Sequence, residues 1–374
     1  MSAFYESVVT IASSFCNNVF TSPTNSRYIG VGALHCVVIW DMLEQVEVAV
    51  LPGKTDMAFV TRIAANPNGR ELAVGYENGV IAIYDLHKKK AVCEFAAHHS
   101  AVTCMQYDGE GDFLVSGSKD TQIVVLDVVA KSVKARLTGH RAAITNVLFT
   151  DNCVISTSKD ALVKFWDVET NQCLKTLGGD PNDQISSAVL CRDNRYLVTG
   201  NQYKELKVYE LKWTADAANA DEVLQCHLVC SETLVARGRL VGLSTYGDVL
   251  ACYTDRGLLS LYSLRTRTED SCPSESKEVK AQRKKLAKLI KRGKVAADYS
   301  AEVSTERQSS STASIHHLAS LKMDAKVVST SLRQFADGRE LRAAVTLADN
   351  SVQLVGFEFS EDYKLVARTL SRIA

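Results

Sequence analysis

The sequence predicts an all-β ring of seven four-stranded blades, a β-propeller, carrying one basic helical insertion. A signature recurs about every 42 residues, and short two-periodic strands fill each copy. One stretch of about fifty residues, rich in Lys and Arg, falls outside the repeat. At 374 residues the chain is long enough for two or three ordinary domains, but seven copies of one unit use that length as a single ring.

The copies follow in order. Val38-Ile39-Trp40-Asp41 begins the series. Gly75-Tyr76-Glu77-Asn78 with Ile83-Tyr84-Asp85, Gly117-Ser118-Lys119-Asp120 with Val125-Leu126-Asp127, and Thr157-Ser158-Lys159-Asp160 with Phe165-Trp166-Asp167 superpose without gaps. Gly200 with Val208-Tyr209-Glu210 makes the fifth, so the aromatic-acid positions 40, 84, 126, 166 and 209 lie 44, 42, 40 and 43 apart. Degenerate copies at Leu261-Tyr262-Ser263 and Leu354-Val355-Gly356 complete seven. Runs such as Ile123-Val124-Val125-Leu126, separated by turns such as Asn68-Gly69, are strands. A four-stranded blade cannot bury both faces alone, so stacking into a ring follows from the period. Lys364 to Leu370 is expected as the last strand, and first and last blades are expected to share strands, through it or through a strand near Ser7 to Ala12.

These residues resemble the WD-repeat family. Gly139-His140, Ser156, Asp160 and Trp166-Asp167 stand at its signature positions, and the resemblance implies a chain of hydrogen bonds from Trp166 through Ser156 and His140 to Asp160. A buried imidazole and carboxylate are tolerated only when mutually satisfied. The preceding copy keeps His98, Ser116 and Asp120 but has Leu126 for the tryptophan. His, Ser and Asp are also the residue types of a hydrolase triad, yet their recurrence at blade spacing argues for a structural role. No phosphate-binding Gly-rich loop, dinucleotide fingerprint or nucleophile elbow occurs, and His316-His317 has no further ligands. No enzymatic activity, cofactor or small-molecule substrate is expected.

Composition adds exclusions. The chain has 43 basic and 43 acidic residues and is 46% hydrophobic, which rules out a globally basic nucleic-acid-binding domain. Eleven cysteines without a C-x-x-C pair read as reduced thiols of an intracellular protein. Cys226-His227-Cys230 is the nearest approach to a metal cluster, and small buried strand residues are the expectation there. The uncharged stretch Ser7 to Ser26 is too rich in Ser, Thr and Asn to span a membrane, so no membrane partner is expected.

The insertion is expected at 268 to 316, within a single ring spanning 1 to 374. Its segment 275 to 295 holds Lys277, Lys280, Arg283, Lys284, Lys285, Lys288, Lys291, Arg292 and Lys294 against Glu275 and Glu278, a local charge of +7 that leaves −7 for the rest. Helix formers dominate it, Val279, Leu286 and Ile290 form a thin apolar stripe, and Gly293 is the expected stop. The reading is either a solvated helix resting on the ring or a contact for RNA phosphates or nuclear import. No aromatic residue interleaves with the cations, so base stacking is not expected.

A narrower resemblance covers nearly the whole chain. Leu72-Ala73-Val74-Gly75-Tyr76-Glu77-Asn78-Gly79, Leu114-Val115-Ser116-Gly117-Ser118-Lys119-Asp120-Thr121, the run Lys164 to Cys173, the basic late insertion and the closing Leu370-Ser371-Arg372-Ile373 are similar to the N-terminal propeller of the tandem-propeller subunits of the UTP-B subcomplex in the small-subunit processome. The resemblance implies a nucleolar, non-catalytic scaffold associated with the U-three small nucleolar ribonucleoprotein. Its partners would be other WD-repeat processome proteins and the backbone of pre-rRNA or snoRNA. It also implies the front part of a longer architecture, with a second propeller to follow. One departure is the acidic insertion after the fifth blade, reduced here to Trp213 to Glu222. A ubiquitin-ligase substrate receptor or a generic cytoplasmic scaffold stands as the alternative. The former often carries Arg two residues beyond Trp-Asp, where this chain has Leu43 and Glu169.

Overall fold

A computed structural model describes residues 19–21, 28–41, 44, 46–53, 58–150, 153–178, 184–203, 205–213, 224–234, 238–266, 313–334, 340–349, 351–359 and 365–373. They form 28 strands in seven four-stranded antiparallel sheets. Blade 1 contains β1 (Val19–Thr21), β2 (Tyr28–Ala33), β3 (Cys36–Asp41) and β4 (Val46–Leu51). Blade 2 contains β5 (Val60–Ala65), β6 (Glu71–Tyr76), β7 (Val80–Asp85) and β8 (Lys90–Ala96). Blade 3 follows with β9 (Val102–Tyr107), β10 (Phe113–Ser118), β11 (Ile123–Asp127) and β12 (Ser132–Leu137). Blade 4 has β13 (Ile144–Thr150), β14 (Cys153–Ser158), β15 (Leu162–Asp167) and β16 (Cys173–Gly178). Blade 5 has β17 (Ile185–Cys191), β18 (Tyr196–Asn201), β19 (Glu205–Trp213) and β20 (Leu224–Thr233). Blade 6 is β21 (Leu240–Tyr246), β22 (Val249–Thr254), β23 (Leu258–Thr266) and β24 (Ala313–Lys322). Blade 7 is β25 (Val327–Gln334), β26 (Glu340–Leu347), β27 (Val352–Phe359) and β28 (Leu365–Ile373).

The first strand of each blade faces the axis, and β1, β5, β9, β13, β17, β21 and β25 contact one another in succession around the ring. Among the described residues no strand is shared between first and last blades, contrary to expectation. Each sheet is built from four consecutive strands, and β1 packs against β25 and β26 without joining blade 7. Blade 7 has its own outer strand in β28. The Ser7 to Ala12 stretch lies outside the described residues, as do Lys364 and the whole basic segment 275–295.

Seven hydrophobic clusters fill the seven spaces between blades. Between blades 3 and 4, for example, Val115, Val125, Leu137 and Ile144 pack with Val147, Val154 and Trp166. Between blades 7 and 1 the cluster is Ile29, Val31, Ala33, Val38 and Trp40 against Ala344 and Val352. The repeated glycine of the sequence belongs to this packing. A Cβ on Gly117 would lie 2.6 Å from Ile144 Cγ2 and 2.8 Å from Cys104 Sγ, and one on Gly200 would lie 2.2 Å from Leu240 Cδ2. The next blade's first axial residue therefore presses against bare backbone.

Bulges recur as regularly as the motif. In all seven blades the third and fourth strands slip register beside the signature aromatic position, at Trp40, Tyr84, Leu126, Trp166, Tyr209, Tyr262 and Val355. An extra residue there adds local twist, which a wedge-shaped blade needs. The bulge in blade 5 settles the reading of Cys226-His227-Cys230. Cys226 pairs with Leu211 and Cys230 with Val208, positions of opposite facing, so Cys226 enters the core toward blade 4 and Cys230 the core toward blade 6. No group of three His, Cys, Asp or Glu able to hold a metal occurs among the described residues.

Gly117→Val is expected to destabilise the ring by about 1–3 kcal/mol through overpacking against Ile144. Thr121, a β-branched residue at φ 71°, should behave oppositely, Thr121→Gly adding about 1 kcal/mol. Chemical denaturation of both variants checks the two signs.

Candidate functional site

The four signature side chains of blade 4 come together from two connections and two strands. His140 precedes β13, Ser156 lies on β14, Asp160 in the β14–β15 turn and Trp166 at the end of β15. Trp166 Nε1 donates to Ser156 Oγ at 2.8 Å, Ser156 Oγ lies 2.8 Å from His140 Nε2, and His140 Nδ1 lies 2.9 Å from Asp160 Oδ2. A carboxylate can only accept, so His140 Nδ1 carries the proton and donates to it. His140 Nε2 then accepts from the Ser156 hydroxyl, leaving a Ser156 lone pair for the indole. Gly139, at φ 148°, precedes the histidine because a Cβ there would stand 3.2 Å from Trp166 Cη2.

Electrostatics favour this arrangement. Burial lowers the His140 pKa more than Asp160 raises it, keeping the imidazole neutral. Burial works against the Asp160 carboxylate, but the N–H of Arg141, the His140 ring and the N–H of Leu162 outweigh it and hold its pKa below the usual range. The turn is tied down by Asp160 N to Ser158 Oγ at 3.2 Å and Ser158 Oγ to the Ala142 carbonyl at 3.0 Å.

Blade 3 repeats the geometry without the indole. His98 Nε2 lies 2.9 Å from Ser116 Oγ and His98 Nδ1 3.2 Å from Asp120 Oδ2, with Leu126 where Trp166 stands in blade 4. Burial again lowers the His98 pKa, against the opposing pull of Asp120. In blade 1 the tryptophan is present but Val31 occupies the serine position, and the buried Trp40 Nε1 has no partner. Blade 2 substitutes a pair that the sequence analysis did not single out. Tyr84 Oη donates to the Pro52 carbonyl at 3.0 Å and accepts from Tyr76 Oη at 2.9 Å, joining blade 2 to the end of blade 1. In blade 6, His317 packs edge-on against Tyr262 and lies 2.7 Å from Ser320 Oγ.

Along the axis runs a channel of about 420 Å³ lined by Arg62, Thr145, Asn146, Ser187, Ser329 and Thr330 among others. Hydrogen bonds between successive axial strands girdle it. Arg62 Nε donates to the Thr103 carbonyl, Thr103 Oγ1 to the Ile144 carbonyl at 2.6 Å and Asn146 Nδ2 to the Ala188 carbonyl. Thr245 Oγ1 donates to the Leu190 carbonyl at 3.3 Å, and Ser244 Oγ meets Thr330 Oγ1 at 2.8 Å. Blades 2 to 7 are thus linked from inside.

Alternation of antiparallel strands places these signature turns on one face and the third-to-fourth-strand connections on the other. The insertion leaves β23 after Thr266 and re-enters at Ala313, its paired neighbour in β24, so residues 313 to 316 belong to the strand. It springs from the face opposite the His–Asp turns. Lys277, Lys280, Arg283, Lys284, Lys285, Lys288, Lys291, Arg292 and Lys294 all lie outside the described residues.

Residues 27–211 match the family model described as the WDR3 first beta-propeller domain. A yeast relative, U3 small nucleolar RNA-associated protein 12 of Saccharomyces cerevisiae, is 33% identical over 45% of this chain and 20% of its own length. The pre-rRNA-processing protein IPI3 of Mycosarcoma maydis is 27% identical over 37% of this chain and 27% of its own. The chain therefore spans well under half of either relative, and relatives of other descriptions match over comparable spans. A chain in the crystal structure of a mitotic checkpoint complex superposes with a TM-score of 0.65 at 18% identity, over 93% of this chain and 89% of that one, a likeness of fold alone.

Ser156→Ala should cost about 3 kcal/mol, because it orphans both His140 Nε2 and Trp166 Nε1 at about 1–3 kcal/mol each; Ser116→Ala, with one group orphaned, should cost less. Both histidines have lowered native pKa values, so the unfolded state takes up protons first as pH falls below about 6.5. Stability is accordingly full above that pH and drops toward pH 5, and the double variant His98→Gln, His140→Gln should flatten the drop in urea titrations. Seven blades, a buried Trp–Ser–His–Asp chain and the matched front half together place this chain in the WD-repeat family, with relatives among ribosome-biogenesis proteins.

Proposed function

We propose that the chain is a non-enzymatic scaffold in small-subunit ribosome biogenesis, acting in the nucleolus by holding other WD-repeat proteins and contacting pre-rRNA or snoRNA backbone. The observation that carries this reading is the match of 45% of the chain to the U3 small nucleolar RNA-associated protein, alongside the match of residues 27–211 to the WDR3 first-propeller family. The structure contributes a physical reason for scaffolding. Ser156 is fully buried and its hydroxyl is committed to His140, so the triad-like residues have no route to a substrate. What the ring offers instead is loops on two faces held by a rigid interior.

The basic segment supplies the RNA part of the reading. The segment joins β23 to β24 on the face away from the His–Asp turns, and its cations would bind phosphate without reading sequence. Charge reversal of Lys284, Lys285, Lys288 and Lys291 to Glu is expected to abolish nucleolar accumulation of the tagged chain. It should also flatten the salt dependence of single-stranded RNA binding by about three in log–log slope, at about 0.7 per phosphate contact. A diffuse cytoplasmic signal from the unaltered chain, or an unchanged slope, overturns the reading.

A further inference from the structure

We propose that the axial channel holds a small, hydroxyl-rich molecule carrying one oxyanion group, with Arg62 and the Tyr253 hydroxyl as the contacts of that group. The register of the innermost strands sets the site up. In blades 2 to 7 the second residue of the first strand is skipped in the pairing with the next strand. The residue that follows therefore comes to one level of the ring: Arg62, Cys104, Asn146, Ser187, Gly242 and Ser329. All six line the channel. One long cation thus shares its level with short side chains, and the bore keeps about 420 Å³, within the range of small-molecule sites.

Charge and hydrogen bonding select the occupant. Among the described residues that line the channel, Arg62 is the only ionised side chain. Burial pushes the neighbouring Cys104 thiol up to about 11, so no thiolate answers the guanidinium there. The second contact is Tyr253, which is only 8% exposed. It pairs with Gly242 across β21 and β22, and a Cβ on that glycine would stand 2.1 Å from Tyr253 Oη. Bare backbone thus lets the phenol lie across the innermost strand and reach the channel wall. Among the described residues its hydroxyl has no hydrogen-bond partner. Burial raises the Tyr253 pKa against the pull of the Arg62 guanidinium, so the phenol keeps its proton and donates. A buried donor without an acceptor, within electrostatic reach of a permanent cation, suits an oxyanion and neither a cation nor an apolar molecule. The hydroxyls of Thr145, Ser187 and Thr330 and the Asn146 amide make up much of the remaining wall, and such groups exchange hydrogen bonds with ligand hydroxyls. No carboxylate or imidazole lines the channel among the described residues, so the ligand is held and not transformed. The site lies inside the ring and owes nothing to the basic insertion, so its test is independent of the ribosome-assembly reading.

The test is isothermal titration calorimetry of the full chain with ribose 5-phosphate and gluconate, against uncharged ribose and inorganic phosphate. At least one of the two hydroxyl-rich anions should bind about tenfold or more tightly than ribose and than inorganic phosphate, and the better one tells a phosphoryl from a carboxylate head group. Arg62→Met should weaken that binding by about tenfold or more, and Arg62→Lys by less. Tyr253→Phe, which keeps the ring over Gly242, should weaken it by about threefold or more. Should Arg62→Met fail to fold for want of its bond to the Thr103 carbonyl, as judged by thermal melts, Tyr253→Phe decides the matter. No binding of either anion, binding that Arg62→Met and Tyr253→Phe leave unchanged, or inorganic phosphate as tight as the better of the two overturns the proposal.

Discussion

Everything in this molecule depends on a blade being unable to bury its own two faces. A single four-stranded sheet leaves an apolar surface on each side, and the only covers on offer are the neighbouring blades. The seven core clusters are accordingly seven interfaces, each drawing residues from two blades. Local features are subordinate to that requirement. Gly75, Gly117 and Gly200 are small where the next blade's Val102, Ile144 and Leu240 press in, and the bulges bend each sheet into a wedge. The Trp–Ser–His–Asp chain fastens the turns of one blade to its second and third strands, while the axial hydrogen bonds tie that blade to the next.

The polar network is uneven around the ring, and the unevenness is informative. Blade 4 satisfies every member, blade 3 dispenses with the indole, and blade 1 keeps an indole with nothing to donate to. Blade 2 reaches a similar end with two tyrosines and a carbonyl from blade 1. What is shared is a polar anchor in a space otherwise filled by aliphatic side chains. Blades that lack it hold together by packing, which agrees with hydrophobic burial dominating over any one hydrogen bond.

The number of blades, the strand content and the partners of His140 and His98 were legible in the sequence, because each rests on residue types repeated at fixed spacing. Ring closure was not, since strand sharing depends on which sheet the last strand joins, and an apolar run such as Leu365 to Leu370 looks the same either way. The separation of Cys226 from Cys230 was hidden for a related reason. Four residues apart on a strand implies one face, and only the extra residue at the bulge reverses it. The Tyr76–Tyr84 pair was hidden because tyrosine is an ordinary strand residue, and its partner, the Pro52 carbonyl, carries no side-chain signal.

The packing of blade 7 against blade 1 has a bearing on how the chain is made. Because every blade is assembled from consecutive strands, each sheet can form as soon as its own segment has left the ribosome. Blade 1 is complete by Leu51, yet its outward face of Ile29, Val31 and Trp40 finds its cover only when Ala344 and Val352 arrive roughly 300 residues later. At about 5–20 residues per second that interval is about 15–60 s. For that time the nascent chain carries an open apolar flank on blade 1.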